Sequence, residues 1–117
     1  MKLEVGQFAR LKSGYICKII NINDFREPNM KYGVDANYLK DVMFIGYDDV
    51  IKASYSITDI LEKGDYVNGC KVIDIVENDI YISNFYAEQC IDIVTIKNIK
   101  SIVTKEQMEQ MAYKVGE

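Results

Sequence analysis

The chain has 117 residues, 49% of them hydrophobic and 27% charged, with 14 basic and 18 acidic side chains and no histidine. This size suits one ordinary domain or two very small ones, and the apolar share is enough to build a core. The missing histidine excludes Cys–His and Ser–His–Asp catalysis and any site that needs a His ligand.

No apolar run reaches the roughly 20 residues of a membrane span. Met1–Gly6 carries no apolar signal core. The expectation is a cytoplasmic protein without membrane contact. Charge is unevenly spread: residues 1–34 carry a net +3, residues 35–92 a net −8 and residues 93–117 a net +1. Bulk attraction to phosphate needs a basic surface, so nucleic-acid binding is disfavoured. An acidic middle favours a basic partner, unless its carboxylates only solvate exposed strand faces.

An internal repeat organises the sequence. Glu4-Val5-Gly6-Gln7-Phe8-Ala9 matches Glu62-Lys63-Gly64-Asp65-Tyr66-Val67. Cys17-Lys18-Ile19-Ile20-Asn21-Ile22 matches Cys70-Lys71-Val72-Ile73-Asp74-Ile75, with a tighter connection in the second copy. The division expected is residues 1–61 and residues 62–117.

In chain order, Phe8–Leu11 reads as a strand, Lys12-Ser13-Gly14 as a turn and Tyr15–Ile22 as a strand. Strict alternation groups Ile20 with Ile22, and Ile73 with Ile75, as core candidates. Asn23–Asn37, with the only proline at position 28, reads as a long loop. Tyr38–Ile45 and Val50–Ala53 follow as strands, and Ser56–Glu62 as a short helical connection. Tyr66–Val67, Cys70–Val76, Ile80–Ser83 and Ile91–Ile96 are the strands of the second copy, with a hairpin turn at Glu77-Asn78-Asp79. Thr104 and Gln107 form a capping box for a terminal helix, with Val103 and Met108 placed as a hydrophobic staple. Met108, Met111 and Ala112 make an apolar stripe on it, read as core before partner surface. The fold class expected is mainly β with a short C-terminal α-helix.

Chemistry-bearing patterns are sparse. Cys17, Cys70 and Cys90 form no CxxC pair, so free thiols are expected rather than a disulfide framework or a zinc site. Asp48 and Asp49 are neighbours, which a strand would point to opposite faces, so solvated turn residues are favoured over metal ligands. The glycines form no phosphate loop. No nucleophile has an adjacent base, and neither an enzyme nor a cofactor is expected. Aromatic rings are more suggestive. Phe25, Tyr32, Tyr38 and Tyr47 lie in or near the long loop, and Phe85-Tyr86 in the matching region of the second copy; they suit either a contact surface or plugs for barrel ends.

Glu4-x-Gly6-x-Phe8, a glycine turn and an apolar strand resemble the start of SH3-like and KOW-type small barrels, which implies two tandem SH3-like units. The segments Ile57–Gly69 and Ile99–Met108 resemble small uncharacterised proteins of phages and mobile elements in low-GC Gram-positive bacteria. That resemblance implies a mobile-element accessory protein acting in the bacterial host cell, of the kind that includes anti-CRISPR inhibitors of host defence. It supplies no site residues.

The leading expectation is a non-enzymatic inhibitor that binds a host protein with a basic surface, a Cas nuclease among the candidates. Its contact residues would be Asp35, Asp41, Asp48, Asp49, Tyr32 and Tyr47. The alternatives are an RNA- or ribosome-associated module using Arg10, Lys12, Arg26 and Lys31 with Phe25 and Tyr32 for stacking, or a structural component of a phage particle.

Overall fold

The computed structural model describes residues 2–35, 42–83 and 91–111. The chain divides into two units, Met1–Ile60 and Leu61–Glu117. It is mainly β, and both units have the strand order of an SH3-like barrel. In the first, β1 (Phe8–Leu11), β2 (Ile16–Ile22), β3 (Tyr32–Asp35), β4 (Met43–Ile45) and β5 (Val50–Ser54) lie in the order β4-β3-β2-β1-β5, and α1 (Ile57–Ile60) follows. In the second, β6 (Tyr66–Val67), β7 (Cys70–Val76), β8 (Asp79–Ser83), β9 (Ile91–Thr95) and β10 (Ile102–Val103) lie in the order β10-β6-β7-β8-β9, and α2 (Lys105–Met111) follows. In each unit a 3₁₀ turn precedes the last strand, Tyr47–Asp49 in one and Ile96–Asn98 in the other. Among the described residues, no helix is long and apolar enough to cross a membrane.

The repeat is structural down to single hydrogen bonds. Gly6 and Gly64 sit third in equivalent four-residue turns, with φ of +97° and +96°. A type II turn requires that positive φ, which a side chain would oppose. Gly6 N–H donates to Ile19 O at 2.8 Å, and Gly64 N–H to Val72 O at 2.9 Å. Ile19 N–H reaches Gln7 O at 2.9 Å, and Val72 N–H reaches Asp65 O at 2.7 Å. The turn is latched each time by the side chain at its fourth position. Gln7 Oε1 accepts Glu4 N–H at 2.8 Å, and Asp65 Oδ2 accepts Glu62 N–H at 2.7 Å. Leu3 and Leu61, one residue before each turn, are both buried.

The core corrects the expected parity. Ile19 is 0% exposed and Ile20 41%, while Cys17 is buried and Ile22 half-buried. A bulge between Ile19 and Asn21 is the cause. One extra residue turns two successive side chains outward and returns Ile22 to the core side. The second unit has the same bulge at the same step, between Val72 and Asp74. There Val72 is buried, Ile73 exposed and Ile75 half-buried. The first core gathers Leu3, Ala9, Leu11, Cys17, Ile19, Tyr32, Val34, Ile45 and Val50.

The predicted long loop also needs correction. Residues 23–31 form the connection, with a 3₁₀ turn at Pro28–Met30, but Tyr32–Asp35 is strand β3. The strand expected at Tyr38–Ile45 is observed at Met43–Ile45; residues 36–41 lie outside the described residues. The Thr104–Gln107 capping box is present: Thr104 N–H donates to Gln107 Oε1 at 2.9 Å and Gln107 N–H to Thr104 Oγ1 at 3.3 Å. Met108 and Met111 are exposed rather than core, and Ala112 lies outside the described residues.

Candidate functional site

The registers put the two units in residue-by-residue correspondence. Tyr32 pairs with Ile45 and Gly33 with Phe44, as Ile80 pairs with Val94 and Tyr81 with Ile93. Counting onward, Tyr47, Asp48 and Asp49 occupy the positions of Ile96, Lys97 and Asn98. The 3₁₀ turn is thus common to both units, but its carboxylates belong to the first alone. Lys97 reverses the charge of Asp48.

This turn forms one end of the first unit together with residues 23–31. The loop is closed at its base by Asn23 N–H donating to Lys31 O at 2.8 Å. Inside it, Phe25 N–H donates to Asn23 Oδ1 at 3.0 Å, an Asx turn that tolerates the sharp reversal. The backbone then packs onto the end of β4. A Cβ at Gly46 would lie 2.7 Å from Asn29 Cα and 3.0 Å from Pro28 O, so only glycine permits this approach. Arg26 stacks on the Phe44 ring at 3.8 Å. Lys31 Nζ pairs with Asp24 Oδ1 at 3.1 Å, and that hydrogen bond holds the ammonium above its ordinary pKa.

What this end presents outward is aromatic and mixed in charge. Phe25 is fully exposed, and Met30 and Tyr47, one in each 3₁₀ turn, are also exposed. Asp48 and Asp49 are exposed as well. Asp49 Oδ2 accepts Gly46 N–H at 2.9 Å, so it also holds the turn's shape.

The predicted contact residues separate. Tyr47, Asp48 and Asp49 share the 3₁₀ turn. Tyr32 lies in the core cluster, so its ring belongs to the barrel interior and not to a contact face. Asp35 is exposed at the far end of β3, three residues and hence about 10 Å along the strand from Tyr32, whose partner Ile45 precedes the turn. Asp41 lies outside the described residues. Of the residues considered for RNA, Arg10 is 0% exposed and donates through Nη1 to Ile60 O at 3.1 Å, so it belongs to the interior; Lys12, Arg26 and Lys31 are at the surface or partly so. Phe25 and Met30 were absent from the leading contact set. The signal available for them was two large apolar side chains in a segment otherwise rich in Asn, Asp, Arg, Glu and Pro.

The remaining acids of the middle segment are largely occupied by structure. Asp65, fully buried, accepts both Glu62 N–H and Lys105 N–H, the latter at 2.9 Å, and so ties α2 to the turn. Glu62 Oε1 pairs with Lys105 Nζ at 2.7 Å, and Lys63 Nζ lies 3.6 Å from Asp74 Oδ1. Asp59 Oδ2 accepts Ser54 Oγ–H at 2.6 Å. Burial pushes the Cys17 thiol up to about 12, which removes its thiolate at neutral pH. Cys70, at the equivalent position, is half-buried and free; Cys90 lies outside the described residues.

Among the described residues, no three Cys, Asp or Glu side chains converge as a metal site requires. A shallow depression of about 580 Å³ is lined by Asn68, Asn98, Lys100 and Ser101. Its groups bond to one another: Asn68 Oδ1 accepts Lys100 N–H at 2.7 Å and Ser101 N–H at 3.1 Å, and Nδ2 donates to Asn98 O at 2.9 Å. It is a latch between β6 and β10. No family model, curated protein or solved structure matches the chain.

Proposed function

We propose that the protein is a non-enzymatic binding protein whose first unit carries the contact surface, at the end built from residues 23–31 and Tyr47–Asp49. One observation carries the reading. Phe25 is fully exposed on a loop whose backbone is fixed by an Asx turn, by the Gly46 contact and by the Arg26–Phe44 stack. A large apolar ring held out in water by a rigid loop costs solvation free energy in the isolated molecule, and a partner recovers it. Tyr47 and Met30 extend the apolar contact, and Asp48 and Asp49 supply charge suited to a basic rim.

Following the resemblance to phage and mobile-element proteins, the partner is a host protein of the bacterial cytoplasm with a basic groove. A Cas nuclease is the first candidate, and the activity is inhibition by occlusion. The test is capture from a Gram-positive host lysate with the wild-type chain, Phe25→Ala, and Asp48→Lys with Asp49→Asn. A partner retained by wild type and lost with Phe25→Ala supports the surface. Retention unchanged by the charge variants removes the electrostatic part.

A second reading is favoured by the exposed Phe25 ring on a loop that also carries Arg26 and Lys31, since aromatic and basic side chains together form stacking platforms for single-stranded RNA. A gel shift at low salt separates the two. A shift abolished by Phe25→Ala moves the assignment to RNA.

A further inference from the structure

Asn68 is the only asparagine of the chain that precedes a glycine. In an Asn-Gly pair the glycine nitrogen can attack the asparagine side chain, because glycine has no side chain of its own to obstruct the approach. The pair forms the turn between β6 and β7, and both φ values are positive, as a type I′ hairpin turn requires. Both residues are exposed, and a Cβ at Gly69 would meet nothing within 4 Å, so a ring formed here has room and water can reach it.

The same residue clasps β6 to the segment before β10. Asn68 Oδ1 accepts Lys100 N–H at 2.7 Å and Ser101 N–H at 3.1 Å, Nδ2 donates to Asn98 O at 2.9 Å, and the main-chain N–H donates to Ser101 O at 3.0 Å. The strands themselves pair only as Tyr66 with Val103 and Val67 with Ile102, so the clasp is a large part of what joins them. β10 leads straight into the Thr104 cap of α2. The partners also fix the side-chain chemistry. Two N–H donors need an oxygen and the Asn98 carbonyl needs an N–H, so asparagine fits here and aspartate does not. The first unit has no such clasp, since the position of Asn68 is held by Arg10.

We infer that Asn68 is a site of spontaneous deamidation for which this clasp is both guard and target. In the reaction the Gly69 nitrogen loses its proton to solvent and bonds to Asn68 Cγ. The Cγ–Nδ2 bond then breaks, ammonia leaves after taking up a proton, and a succinimide remains. Water opens that ring at either carbonyl to give aspartate or isoaspartate at position 68. While the clasp is closed, the type I′ turn keeps Gly69 N turned away from the Asn68 side chain. Attack would also draw Oδ1 and Nδ2 out of the plane in which their three hydrogen bonds are made. After conversion a carboxylate oxygen faces Asn98 O, acceptor against acceptor, and isoaspartate adds a backbone methylene that a two-residue turn does not absorb. A clasp that has opened and reacted therefore does not close again.

Incubation of the full chain in mildly alkaline buffer, folded and in denaturant, followed by peptide mapping with mass spectrometry, tests it. In denaturant the modification should fall first on position 68. In the folded chain it should run roughly 100-fold more slowly, the protection that three side-chain hydrogen bonds provide. Lys100→Pro removes the donor of the shortest bond, and Ile99, at φ −74° and ψ 119°, already has the backbone that precedes a proline. It should speed the folded-state reaction about tenfold. Asn68→Asp, which carries the product side chain, should raise amide exchange in β6 and β10 by about tenfold and leave the first unit unchanged. Three results would overturn the inference: equal rates at position 68 in the folded and unfolded chain, a faster rate in the folded chain, which would make the Lys100 and Ser101 N–H groups an oxyanion hole, or exchange indifferent to Asn68→Asp. If Lys100→Pro fails to fold, the ratio of the wild-type rates decides.

Discussion

The first unit spends residues on a loop at 23–31, and the second spends almost none at Glu77-Asn78. Several features are shared: the opening turn, the bulged strand, a 3₁₀ turn before the last strand and a helix after it. The loop hides one sheet edge and displays Phe25, while its absence leaves Ile91 and Ile93 in water. A small barrel can thus place its apolar excess on a loop tip or on a strand edge without altering its core. A loop tip suits a foreign partner with a matching pocket.

The comparison can be broken at several points. The largest effect is expected from the bulge. Ile19→Ala should destabilise the first unit by about 3 kcal/mol, while Ile20→Ala costs below about 1 kcal/mol, because only the first leaves a cavity. Denaturant unfolding measures both, and equal losses would contradict the bulged register. Next is the loop contact. Gly46→Ala should cost about 2–3 kcal/mol by forcing the Pro28–Asn29 backbone away, with loss of amide-exchange protection in residues 23–31 and none in the second unit. The two turn latches should then differ. Gln7→Ala removes one acceptor and should cost about 1 kcal/mol, whereas Asp65→Ala also uncaps α2 and should cost about 2–3 kcal/mol. Hydrogen exchange of α2 would report the difference. Alkylation separates the equivalent thiols: Cys70 should react with iodoacetamide at pH 8 in the native state and Cys17 only after unfolding.

The smallest effect concerns Glu4, which accepts from the Tyr55 hydroxyl where Glu62 pairs with Lys105. The Tyr55 hydrogen bond lowers the Glu4 pKa, and the bond to Glu4 raises that of Tyr55. Glu4 therefore contributes stability above its unfolded carboxylate pKa, and this is lost as pH falls through its lower folded value. Tyr55 contributes below its unfolded value near 10.0, and this is lost as pH rises through its higher folded value. Both groups are exposed, so the slopes are shallow. Glu4→Gln should flatten the acidic limb of a stability–pH curve.

Much of the architecture was legible because local chemistry and fold agree. Thr104 and Gln107 announced a helix start, and Asn68-Gly69 fits a two-residue hairpin turn, with φ of +52° and +82°. What stayed hidden has physical reasons. Ile19, Ile20 and Ile22 satisfy two alternations equally well, and only pairing with β3 reveals which phase the bulge selects. Strand β3 contains Gly33, whose missing side chain leaves room for Asn21, Val42 and Phe44, so its sequence looks like a loop while its register is that of a strand. At the site, Tyr47, Asp48 and Asp49 were legible as a turn. Tyr32 and Tyr47 are the same residue type, one in the core and one in an exposed turn, and composition does not distinguish them.

The shared bulge tells where the chain tolerates loss. Deleting Ile20 alone would restore strict alternation while leaving Cys17, Ile19 and Ile22 on the inside, so the strand could be shortened by one residue without exchanging a single core side chain.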